Sequence, residues 1–288
     1  MSFLYLRQSF IKAFFVVSSV FIIQACRQKV KVIKSPPHYK FSEVQTTKLD
    51  LRLKEISGIA WDPVNSEFLA HQDENGQLFL LDKEPKDIKP PSPFKFAGKG
   101  DYEDVAIYNG VPYILRSDGQ LTKIIRDSAG VRGVDVGKLS ISGLNDFETL
   151  YTDTSRKALI LLCKNCAMDT KSEISAFAYY PDSIGFVNDP VYRIDADAIK
   201  AMAPNKSHKF QPTAAEIHPV LNKLFIISSP AKQLVIADLN GKPEGVYELG
   251  RKLFPQPEGL TFKKNGDMYI SSEGVTSKGT IMKFLYKP

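Results

Sequence analysis

Three glutamates carry the chemistry for which this sequence is best equipped. Glu103, Glu148 and Glu258 each stand at the head of a short apolar run, at residues 105–107, 150–151 and 260–262. Carboxylates brought together from three such positions repel one another and raise each other's pKa unless cations compensate. Calcium suits a ring of this kind, because it accepts about 6–8 hard oxygen ligands with tolerant geometry. Two other roles stay open: each glutamate accepts hydrogen bonds from amides of a neighbouring element and pins it, or one acts as a catalytic acid or base. The sequence has no Gly-x-Ser-x-Gly elbow, no His-Glu-x-x-His and no phosphate-cradling glycine loop, and its four histidines, His38, His71, His208 and His218, are scattered. The remaining enzymatic option is a calcium-dependent lactonase or esterase, with the glutamates holding the ion as a Lewis acid. That chemistry also wants neutral ligands, and the clearest candidate is Asn145.

The elements that must position these glutamates recur. Positions 57, 103, 148, 215 and 258 each open a unit of strand, turn, strand, turn and strand, with a period near 45 residues and one longer interval before the fourth copy. That period predicts propeller blades, in which about four strands recur every ~40–50 residues. Each unit is too small to bury both faces of its own sheet, so neighbouring sheets pack face on face around an axis. Asn75-Gly76, Asn109-Gly110, Asp118-Gly119 and Asn265-Gly266 supply the residues that tight hairpins require. The expectation is an all-β, five-bladed β-propeller over residues 41–288, with six blades as the alternative. An edge strand within residues 44–53 should pair with the last blade and close the ring, which removes an exposed sheet edge. The long interval is explained by an insertion at residues 195–211, where Asp195 caps a short helix over residues 196–203 that ends at Pro204. The fourth copy departs from the rest, because Ala215 stands where the others have Ser or Glu and the acid has moved to Glu216.

In a propeller the first strand of each blade lines the axis, so the three glutamates should converge on the channel. The turns between second and third strands lie on the same face and gather Asp73, Arg116, Asp118, Asn165 and Glu273, with His71 and Lys164 among them. This polar face of mixed charge is suited to binding a protein partner or a small molecule. Cys163 and Cys166 fall in one of these turns. A lone Cys-x-x-Cys is weak support for zinc or for redox catalysis. A local disulfide is the first choice in an oxidising compartment, two free thiols the second.

The N-terminus reads as a targeting segment. Arg7 and Lys12 precede an apolar run, and Ile23-Gln24-Ala25-Cys26 looks like a lipobox, so residues 1–25 are expected to form a lipoprotein signal peptide with lipid on Cys26, an uncleaved membrane anchor or an ordinary secretory signal being the alternatives. Residues 26–40 then form a basic tether between the membrane and the domain. The formal charge is +6, and there is no Arg/Lys stripe interleaved with aromatics, so nucleic-acid binding is not expected. A lipid-anchored monomer outside the cytoplasm is the consistent picture, on the outer membrane of a two-membrane bacterium.

Four segments carry a family likeness: Glu55-Ile56-Ser57-Gly58-Ile59-Ala60-Trp61-Asp62-Pro63, Asp101-Tyr102-Glu103-Asp104-Val105-Ala106, Asn145-Asp146-Phe147-Glu148-Thr149-Leu150 and Pro257-Glu258-Gly259-Leu260. With these the chain resembles the SdiA-regulated proteins, bacterial and often membrane-anchored β-propellers distantly similar to NHL-repeat proteins. The resemblance spans about residues 48–286. It implies five blades and a bound calcium ion, with no defined biochemical activity.

Overall fold

The computed structural model describes residues 34–128, 130–204, 209–275 and 277–288. The expected signal segment, Cys26 and His208 lie outside the described residues. Strand β1 (Gln45–Lys48) is followed by β2 (Ile56–Asp62), β3 (Glu67–Gln72), β4 (Gln77–Leu81) and β5 (Phe94–Lys95), which form the first blade. The second blade is β6 (Tyr102–Tyr108), β7 (Val111–Arg116), β8 (Gln120–Asp127) and β9 (Gly130–Lys138). The third is β10 (Asn145–Asp153), β11 (Ala158–Cys166), β12 (Glu173–Tyr180) and β13 (Gly185–Asp195). After helix α1 (Ala196–Met202) come β14 (Ala214–Ile217), β15 (Leu224–Ser228), β16 (Gln233–Ala237) and β17 (Pro243–Glu248), then β18 (Pro257–Phe262), β19 (Met268–Ser272) and β20 (Thr280–Phe284). Each blade is an antiparallel four-stranded sheet, and β1 completes the fifth by pairing with β20. The inner strands touch in turn, β2 to β6 to β10 to β14 to β18 and back to β2, so five blades close a ring. Every blade and the closing strand lie within residues 34–288, so the ring is complete without the preceding residues.

Hairpin chemistry follows the backbone that the turns demand. Asn109 (φ 49°) and Gly110 (φ 78°) both adopt the left-handed region between β6 and β7, where β-branched residues would be strained. The apolar runs are buried between blades: Phe147, Leu161 and Phe177 in one cluster, Phe225, Ile270 and Phe284 in another. Burying each such side chain contributes roughly 1.5–3 kcal/mol. Polar pins cross between blades near the axis. Leu150 N donates to Asp104 Oδ2 (2.9 Å), Thr152 Oγ1 to Ile107 O (2.8 Å) and Trp61 N to Thr261 Oγ1 (3.0 Å). Gly259 sits where blades five and one meet; a Cβ there would lie 2.9 Å from Ser57 O, closer than the packing permits.

Two boundaries differ from expectation. The tether does not extend to Lys40 as a solvated linker: Tyr39 is buried, and its hydroxyl donates to Gly266 O (2.5 Å) and meets His218 Nε2 (2.7 Å). The reason is its apolar content, since Tyr39 and Phe41 pack on the last two blades among Phe225, Phe254 and Phe284. Cys163 and Cys166 do not occupy a turn but extend β11, paired with the start of β10. Helix α1 forms as anticipated, with the Asp195 carboxylate accepting from Ala198 N (2.8 Å).

Candidate functional site

The inner strands share a local irregularity that turns one side chain per blade toward the channel. In β6 the register steps from Tyr102↔Arg116 to Asp104↔Leu115, leaving Glu103 as the extra residue of a bulge. The same step isolates Glu148 in β10 and Glu258 in β18, and Ser57-Gly58 faces a single residue in β2. A bulge kinks the strand and re-aims the extra residue out of the ladder. Blade four follows suit one residue before β14, where Thr213 N donates to Ile227 O although Ala214 is the residue paired with Ile227. The fourth equivalent position is therefore Thr213, not Ala215. Glu216 lies farther along, at the opposite end of the channel.

Ser57, Glu103, Glu148, Thr213 and Glu258 line one cavity of about 450 Å³ at the channel mouth, so all three predicted glutamates come together. Asp73 and Glu273 of the predicted face join them, with Asp101 making six carboxylates against three cations, Lys164, Lys232 and Arg251. Arg116, Asp118 and Asn165 do not line it. Arg116 and Asp118 are bound to each other on the rim (2.7 Å), with Lys138 (2.8 Å), and Asn165 faces a neighbouring cavity. Asn145 is spent on its own loop, donating to Gly143 O (3.0 Å). His71 is fully buried beneath the face and kept neutral, its pKa pushed down to about 4 by burial. Among the described residues no histidine lines the mouth.

Electrostatics separates the three glutamates. Glu148 is compensated within the protein: the Lys164 ammonium pairs with it and lies 3.7 Å from Asp146. Glu103 has no such partner, and burial, with Asp101 adding to it, pushes its carboxyl up to about 8. Burial pushes Glu258 up to about 7, with Glu273 adding and a hydrogen bond from Ser229 opposing. Asp73 is also raised, chiefly by burial and then by Glu55 and Glu74, and Glu273 by burial and then by Asp73 and Glu55. Asp73 Oδ1 is buried with no hydrogen-bond partner. Blade pinning, the other role weighed for the glutamates, is also carried by the adjacent Asp104, which accepts from Leu150 N (2.9 Å) and from Val105 N (2.8 Å).

The oxygen donors fit a hard cation in chemistry, and the orphaned Asp73 oxygen marks where negative charge is least satisfied. They are spread around the mouth rather than closed on a point. Among the described residues the group of three metal-ligating side chains within 4.8 Å of one another is Cys163, Cys166 and Asp169, and its two cysteines are joined in a disulfide, Cα atoms 5.7 Å apart. Lys232, Arg251, Asp101 and Thr213 are mouth residues that sequence reasoning did not place there. Thr213 was concealed by the bulge, whereas Asp101 was signalled by its place two residues before Glu103.

The fold and its axial site define a β-propeller. Among solved structures, the chain is similar to glutaminyl cyclase of Myxococcus xanthus, with a TM-score of 0.56 at 11% identity over 84% of this chain and 94% of that one. It is also similar to a glucose dehydrogenase (TM-score 0.54, 11% identity, 83% and 99% covered) and to a gluconolactonase from Xanthomonas campestris (0.51, 12%, 88% and 86%). These likenesses show the fold alone. No protein-family model matches the sequence, and no curated protein matches it either.

Proposed function

We propose that this chain is a lipid-anchored propeller of the SdiA-regulated kind that binds one calcium ion in its acidic channel mouth and serves as a binding module at the cell envelope. The observation that carries the reading is the surplus of poorly compensated carboxyl groups there: Glu103, Glu258, Asp73 and Glu273 are all raised, and Asp73 Oδ1 has no partner. A cation relieves both penalties at once. Glu103, Glu258, Asp73 and Glu273 would hold it, while Glu148 stays with Lys164. Because the donors surround an open mouth, the ion keeps water in part of its shell, as calcium tolerates. A protein or small molecule bearing oxygen donors would then replace that water, with Lys232 beside it for a negative group. The lipid on Cys26 places this face outside the cytoplasm.

A second reading rests on a specific observation. Glu258 at about 7 lies where a general acid–base group works best near neutral pH, beside the same cation site. That arrangement suits a calcium-dependent lactonase or esterase, in which the ion would polarise the carbonyl.

The test is a thermal melt of residues 34–288 with calcium, magnesium or chelator, for wild type and for Glu103→Gln with Glu258→Gln. A ligand of the native state raises the midpoint by mass action. Calcium should raise it for the wild type and not for the double variant; an equal response in both overturns the site. Turnover of a lactone panel by the calcium-loaded protein, lost in Glu258→Gln, would favour the second reading.

A further inference from the structure

A second cavity is larger than the channel mouth. It holds about 630 Å³ and lies beside blade three, where helix α1 packs against β12 and β17. Its floor is apolar and buried: Ile174, Ile199, Ala203, Phe210 and the disulfide sulfur of Cys166. Its rim carries Lys171, Lys200 and Lys209 opposite Asp169, Glu173 and Asp197.

The two signs on the rim are not equivalent. Asp169 accepts from Ser175 N (3.1 Å), Asp197 from Ser172 Oγ (2.6 Å), and Glu173 lies 3.9 Å from Arg193. The three lysines have no ion pair or hydrogen bond to a carboxylate among the described residues, and all three are exposed. Glu173 is offset by Arg193 and Asp169 feels Lys209, which leaves Lys171 and Lys200 against Asp197, a surplus of positive charge that favours anions. A volume within the ~300–1,000 Å³ range of small-molecule sites, an apolar floor and a few convergent polar groups are the marks of a ligand pocket.

We infer that this cavity is a second binding site, separate from the channel mouth, for a small amphiphilic anion: an acyl chain or aromatic ring that carries one carboxylate. The apolar part lies on Ile174, Ile199 and Phe210, and the carboxylate meets the lysines. Lys164 lines both this cavity and the mouth, so an occupant here borders the residue that compensates Glu148.

Calorimetric titration of residues 34–288 with octanoate, octan-1-ol and octylamine tests this, since the three share a chain and differ in head group. Octanoate should bind at least tenfold more tightly than octanol, and octylamine more weakly still. Lys171→Glu, Lys200→Glu and Lys209→Glu together should weaken octanoate at least tenfold while leaving the melting midpoint and the calcium response unchanged, because these side chains are exposed. Equal binding of all three probes, octanoate binding indifferent to the triple substitution, or no binding of octanoate overturns the inference. Flotation with phosphatidylglycerol vesicles in the absence of octanoate binding would make the surface a membrane contact and overturn it too.

Discussion

Replacing Glu103 by glutamine should stabilise the metal-free protein, although it removes a residue of the site. In the unfolded chain Glu103 ionises near 4.5, whereas in the fold its carboxyl is pushed up to about 8. The folded state therefore binds more protons than the unfolded state between about pH 4.5 and about pH 8, and stability falls as the pH rises through that window. At 1.36 kcal/mol for each pH unit of separation, the penalty at pH 8 has an upper bound on the order of 4 kcal/mol. Water in the open mouth reduces it, and roughly 1–3 kcal/mol is the expected size. Glutamine has nearly the same shape and no charge, so Glu103→Gln should recover that amount at pH 8 and less than about 1 kcal/mol at pH 5. For a domain of this size the gain corresponds to about 2–10 °C in melting midpoint. The assay is thermal unfolding in chelator at both pH values, repeated with calcium, where the wild type should gain and the variant should not. A variant less stable than wild type at pH 8 in chelator would refute the reasoning, because it would mean that the ionised carboxylate is well satisfied in the fold.

Other substitutions probe the rest of the frame. Asp104→Ala should cost about 2–4 kcal/mol in denaturant unfolding, because the buried amides of Leu150 and Val105 lose their acceptor. Glu67 is buried between Lys89 (2.5 Å) and Arg126 of the next blade (2.8 Å), so Glu67→Ala should cost about 3–5 kcal/mol by the same measurement. Lys164→Met removes the ammonium that neutralises Glu148, and calcium affinity by titration should rise roughly tenfold, about 1.4 kcal/mol. Reducing the disulfide that bridges Cys163 and Cys166 opens a very short loop and should lower stability by no more than about 2 kcal/mol in melts with and without reductant.

Much of the ring was legible because its signals are local. The turn residues at Asn109-Gly110 and Gly266, the apolar runs between them and the capping Asp195 each specify backbone within a few residues, and the five-blade count follows from their spacing. Glu103, Glu148 and Glu258 were legible because each precedes its run in the same way. The fourth position was not, since a bulge shifts register without a sequence mark, and Ala215 was aligned where Thr213 belongs. Nor was the partition of charge: that Lys164 pairs with Glu148 while Asp73 Oδ1 is left without a partner depends on contacts between blades. Tyr39 looked like tether because its partners, His218 and Gly266, lie about 180 or more residues away along the chain.

The most direct measurement is calorimetric titration of calcium into residues 34–288 at pH 7, for wild type and for Glu103→Gln with Glu258→Gln. One ion per chain in the wild type, with affinity reduced at least a hundredfold in the double variant, is the predicted result. No binding to the wild type, or equal binding to both proteins, would contradict the assignment of the channel mouth as a cation site.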